Sequence, residues 1–145
     1  MARDALKTVQ RLRQIELDNA RTDLQRLQAA ADEARMRERA ATIAIQTEMN
    51  AAARLSADDA TVEAFGAWLP TGRAAVIRAQ AQLARLEQDI SQARAILNLA
   101  RAGAEAVEKM IAERALLATE LGHRKQQAAL DEAAARGRPK FLSGD

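Results

Sequence analysis

Counted from Val76 in alternating steps of three and four residues, the second half of the chain shows a single row. It runs Val76, Ala79, Leu83, Leu86, Ile90, Ala93, Leu97, Ala100, Ala104, Val107, Ile111, Arg114, Ala118 and Leu121. Thirteen of these fourteen positions are apolar, and only Arg114 interrupts them. A repeat averaging about 3.5 residues keeps one narrow stripe turned toward a neighbouring helix over a long distance. The stripe of an ordinary globular helix is wider and shorter. The segment is therefore predicted to lie along another helix.

The first half supplies the partner. Leu17, Ala20, Leu24, Leu27, Ala31, Ala34, Glu38, Ala41, Ile45, Glu48, Ala52 and Leu55 follow the same rhythm, and ten of the twelve are apolar. Two matching seams in one chain, separated by a short break, predict an all-α fold: a long antiparallel two-helix coiled-coil hairpin with a short helical tip. With Leu55 and Arg73 flanking the turn, Leu24 should lie near Ala104 and Ile45 near Leu83. Alanine in a seam lets helix axes approach but buries little area. A buried methylene is worth about 0.8 kcal/mol, so the expected rod is marginal and gains stability from a partner.

The 145 residues read as one coiled-coil domain: helix 4–55, tip 56–72, helix 73–136, tail 137–145. The first helix contains neither Pro nor Gly. Near its start Leu6, Val9, Leu12 and Ile15 run out of phase with the seam, either as a local stutter or as a second apolar face for a third partner. Ser56, Asp58 and Asp59 are good N-cap residues, and Pro70 followed by Thr71-Gly72 reads as a stop and a turn. Gly103 and Gly122 lie off the second seam as soft points. Gly137-Arg138-Pro139 ends the helix, and Phe141 to Asp145 read as a disordered tail.

Composition excludes much. Aromatic residues make up 2%, far too few for a globular core. There is no Cys, hence no disulfide framework and no thiolate chemistry. The N-terminus lacks a secretory signal, and no stretch is apolar enough to span a bilayer, so a soluble cytoplasmic protein is expected. The formal net charge is only +2, but it is polarised. Arg3, Lys7, Arg11 and Arg13 face only Asp4 across residues 1–13. Arg124 and Lys125 open a second basic stretch, whereas Asp58, Asp59 and Glu63 make residues 56–72 acidic. In a hairpin both termini share one end, which would be basic, with an acidic tip. This reads either as a solvated surface with chance asymmetry or as a molecule steered end-on to different partners.

No catalytic constellation is found, and the chain is read as not an enzyme. His123 is the only histidine, and a metal site needs several ligands, so no metal or cofactor is expected. Carboxylates lie beside Arg and Lys at helical spacing, as solvated ion pairs do. Interleaved charges and the lack of an aromatic platform argue against nucleic-acid binding, and the narrow apolar stripe argues against membrane insertion. The strongest local anomaly is Phe65-Gly66-Ala67-Trp68-Leu69-Pro70. Phe65, Trp68 and Leu69 share one helical face, either to close the end of the hairpin or to anchor a partner.

Three stretches carry a resemblance: Leu6-Lys7-Thr8-Val9-Gln10-Arg11-Leu12-Arg13, Phe65-Gly66-Ala67-Trp68-Leu69, and Arg124-Lys125-Gln126-Gln127-Ala128-Ala129-Leu130-Asp131-Glu132 with the Ala and Arg residues after it. Together with the hairpin pattern, they make the chain similar to the flagellar type III export stalk family, FliJ. The resemblance implies a non-enzymatic coiled coil that sits in the hexameric export ATPase, contacts the export gate protein and handles export chaperones at the cytoplasmic face of the inner membrane. It implies that Arg3, Lys7, Arg11, Arg13, Arg124 and Lys125 are offered to the ring, and Phe65, Trp68 and Leu69 to the gate. The stalk of a virulence-type secretion system is the alternative within that class. A self-associating coiled-coil scaffold or adaptor is the alternative outside it.

Overall fold

The computed structural model describes residues 2–137. It contains two long helices packed against each other as an antiparallel hairpin, α1 (Ala2–Ala52) and α2 (Asp59–Arg136), with no strand among the described residues. Arg138, Pro139 and the segment Phe141–Asp145 lie outside the described residues. Gly137 follows α2 directly, and its N–H bonds the Ala133 carbonyl at 3.0 Å.

Local sequence explains the helix ends. α1 is built almost wholly of strong helix formers and has no breaker. Its last turn closes through the Ala53 N–H to the Met49 carbonyl at 2.9 Å. The connection spans only residues 53–58 and uses no left-handed residue. Leu55, predicted to belong to the first seam, lies in this loop and is fully exposed. Asp58 caps α2: its Oδ1 accepts the Thr61 N–H at 2.8 Å and the Thr61 hydroxyl at 2.5 Å. The Thr61 N–H is shared with the Asp58 carbonyl at 3.1 Å, so both oxygens of one residue serve the first helical turn.

The separate tip helix over 56–72 is not present. α2 begins at Asp59, fourteen residues before the expected Arg73, and runs through Pro70 without a break. Proline removes one i→i−4 bond and presses its ring on the Gly66 carbonyl, at a cost of about 3 kcal/mol. Ending the helix there would forfeit the bonds of a whole turn and the packing on both sides of it. Nor is Gly72 a turn residue. It is buried inside α2, and a Cβ built on it would meet Trp68 Cη2 at 2.7 Å. Gly72 is the slot in which the indole lies.

Contacts divide the molecule into two units, Gln14–Arg101 and Met1–Arg13 with Ala102–Asp145, the latter described over 2–13 and 102–137. In the first unit both seams are buried as their periodicity requires. Leu17, Ala20, Ala31 and Ala34 of α1 and Ile90, Ala93 and Leu97 of α2 form the core. Leu24, Leu27, Ala41, Ile45, Val76, Ala79, Leu83 and Leu86 flank it half-buried. Four of the seven core residues are alanine, which agrees with close approach and small buried area. In the second unit Val107 is buried and Leu6, Gly103, Ala104 and Ile111 are half-buried. The last three seam positions, Arg114, Ala118 and Leu121, are exposed.

The pairing register differs from the expected one because the turn is shorter. Arg35 lies 4.0 Å from Glu87, where the sequence reading would set it opposite Ala93. Arg13 packs across Gly103, its Cδ 3.5 Å from an ideal Cβ there, where the reading would set it opposite Ala115. Gly103 thus lies under the Arg13 side chain, where a Cβ would make only ordinary contact with it. The out-of-phase row is resolved as well. Val9, Leu12 and Ile15 are exposed, while Leu6 is half-buried. Most ion pairs join residues three or four apart on one helix, such as Arg37 to Glu33 at 2.9 Å and Arg136 to Glu132 at 2.9 Å. All are exposed and contribute little individually.

Candidate functional site

In the unit formed by residues 2–13 and 102–137, the two helices enclose a cleft of about 280 Å³. Ala2, Arg3, Leu6 and Lys7 of α1 form one wall, and Ile111, Arg114, Ala115 and Ala118 of α2 the other. Helical geometry explains the set. Arg3, Leu6 and Lys7 stand at i, i+3 and i+4, and Ile111, Arg114, Ala115 and Ala118 at i, i+3, i+4 and i+7, so each group shares one face. The floor is apolar, and three cations rim it. No carboxylate lines it, and among the described residues no ion pair engages Arg3, Lys7 or Arg114.

Of the six bases singled out in the sequence for one end, the cleft gathers Arg3 and Lys7. Arg11 is exposed and does not line it. Arg13 lies across Gly103 and does not line the cleft. Arg124 and Lys125 stand on the exposed stretch of α2 beyond Ala118. The third base of the cleft, Arg114, escaped sequence reasoning as a site residue. Its signal was its place as the one polar residue in the second seam.

The aromatic group lies in the other unit. Phe65 and Trp68 have ring centroids 6.4 Å apart, tilted by 37°, and both are half-buried, as is Leu69. A shallow recess beside them is lined by Glu48, Asp58, Ala60, Thr61 and Ala64. The Asp58 carboxyl sits below the usual carboxylate range, chiefly because the Thr61 hydroxyl and then the Thr61 N–H bond its charged form. Asp58 therefore serves the helix start, and Asp58, Asp59 and Glu63 are all exposed.

Among the described residues no group of His, Asp and Glu is arranged to hold a metal, and no helix is long and apolar enough to cross a membrane. His123 is exposed. No protein-family model matches the chain, and no match is found among curated proteins or solved structures.

Proposed function

We propose that this chain is a non-enzymatic stalk of a flagellar type III export apparatus, docking its basic face into the hexameric export ATPase. The observation that carries the reading is the cleft in which Arg3, Lys7 and Arg114 rim an apolar floor on a two-helix hairpin. Such a surface recognises a protein partner through charge and apolar burial together and holds no reacting groups. The resemblance to the FliJ family supplies the identity of the ring. On this reading the protein works at the cytoplasmic face of the inner membrane. Phe65, Trp68 and Leu69 contact the export gate, and exposed faces of the helices serve export chaperones.

The test is ATP turnover and oligomerisation of the cognate export ATPase with and without this protein. Reversal of Arg3 and Lys7 to Glu should weaken ring binding and flatten its salt dependence, with helicity unchanged. Unaltered turnover, with no complex at low salt, refutes the stalk. The scaffold reading is favoured by a different observation: Leu116, Leu117, Leu121 and Leu130 are all exposed on α2. It requires concentration-dependent self-association, which sedimentation velocity measures directly.

A further inference from the structure

We infer that the cleft between Arg3, Lys7 and Arg114 is the seat of an acidic amphipathic helix, one apolar side chain entering between the helices and carboxylates meeting the three cations. The inference rests on the docking reading above for the identity of the ring, but not for the chemistry of the occupant.

Leu6, Ile111, Ala115 and Ala118 make the floor apolar, so a ligand without an apolar side chain leaves most of it wet. A phosphate or a polynucleotide backbone matches the cations but gains nothing from that floor. The cations stand on both walls. Arg3 and Lys7 are one helical turn apart on α1, and Arg114 faces them from α2. Carboxylates three or four residues apart on a partner helix have the same spacing and reach both walls from either side of a central Leu or Ile. Among the described residues no carboxylate lines the cleft, so its charge has one sign and a basic partner is repelled. Ala115, Ala118 and Leu121 are all exposed on α2, so a helix laid along that face meets the cleft.

The probe is a fluorescein-labelled synthetic helix of about 15 residues, long enough for measurable helicity, with a Leu stripe flanked by Glu. Its control carries Lys in place of each Glu. Anisotropy with the full chain should show saturable binding of the acidic helix and none of the basic one. Arg114→Glu should weaken binding about tenfold or more, and Ala118→Glu should do the same by placing a charge on the floor. The double variant R37E/R39E, exposed in the other unit, should bind as the unaltered chain does. Circular dichroism verifies that each variant folds, which is expected because Arg114 and Ala118 are exposed. Equal binding of the two helices, or equal losses for R114E and R37E/R39E, would overturn the inference. So would binding of duplex DNA or phosphatidylglycerol vesicles with the same dependence on Arg114 and none on Ala118. The same variants separate this inference from the ring reading. If they lose the peptide but retain the ATPase ring, the cleft's specificity stands and the ring docks elsewhere. If they lose the ring but retain the peptide, the cleft inference fails.

Discussion

Replacing glycine by alanine inside a helix normally stabilises it by about 1 kcal/mol, because the unfolded backbone loses freedom and no side chain is obstructed. Gly72→Ala should break that rule. An added Cβ would stand 2.7, 2.9 and 3.0 Å from Cη2, Cζ3 and Cζ2 of Trp68, where ordinary contact begins at 3.4 Å. The whole outer edge of the indole must move by most of an ångström. An off-rotamer χ angle costs about 0.5–1.5 kcal/mol, and the displaced ring loses packing besides. The propensity gain is cancelled or reversed. Gly66→Ala and Gly122→Ala are the internal controls, since a Cβ at either meets nothing within 4 Å. Urea unfolding followed by circular dichroism should show G66A more stable than G72A by about 1–2 kcal/mol. G122A should raise helicity in its own region. Trp68 is the only tryptophan, so its emission reports the site alone: G72A should shift it to the red, and G66A should not. Equal stabilisation by G72A and G66A with unchanged emission would refute the account of Gly72 as the slot for Trp68.

The seam gives three graded expectations for thermal or urea midpoints. Leu97→Ala should cost about 2–3 kcal/mol, and Leu97→Asp more, because Leu97 is buried between the helices. Ala31→Leu should destabilise by about 1–3 kcal/mol, since Ala31 is fully enclosed and a larger side chain forces the helices apart. Gln82→Ala, on the exposed face, should stay within about 0.5 kcal/mol of the unaltered chain. Asp58 sets the acid response. Its folded carboxyl is held below its ordinary range, so the folded state binds fewer protons, and the cap's stabilisation is complete above that range and lost as pH falls through the folded value. The difference in midpoint between the unaltered chain and Asp58→Ala should therefore be constant near neutrality and close at acid pH. A gap that widens on acidification would contradict the capping role.

The seam was legible because burial and periodicity are one fact in a two-helix hairpin. Leu17, Ala31, Ile90 and Leu97 could be named from spacing alone, and all are buried. What spacing could not supply was the position of the turn. Pro70 and Thr71-Gly72 have the composition of punctuation, yet the Asp58 cap upstream and the packing around Trp68 outweigh one missing hydrogen bond. A glycine four residues after a tryptophan on a helix carries a signal of its own, namely space for the ring. Gly103 and Arg13 are ninety residues apart in sequence and become neighbours only once the register is known. The cleft needed that register too. Arg3 and Lys7 were visible as clustered base, but Arg114 joins them only because α2 pairs with α1 earlier than the expected turn allowed.

The two units differ in what holds their helices in place. In Gln14–Arg101 seven apolar residues are buried, but in the unit formed by residues 2–13 and 102–137 only Val107 is, and every residue from Ala112 to Gly137 is exposed. An isolated helix of about 12–15 residues is marginal in water even when alanine-rich. The stretch from Ala112 onward is therefore carried by its own propensity, by pairs such as Arg136 with Glu132, and by continuity with the packed part of α2. A partner that covers Leu117 and Leu121 together with the basic cleft adds burial where the protein has least. Its binding free energy and the ordering of that stretch are then one linked quantity. Hydrogen exchange should show the linkage. Amides from Ala112 to Arg136 should exchange fastest in the free protein and gain the most protection in the complex, while those around Ile90 and Leu97 should change little. Protection confined to Gln14–Arg101 would place the partner on the other unit and detach the cleft from docking altogether.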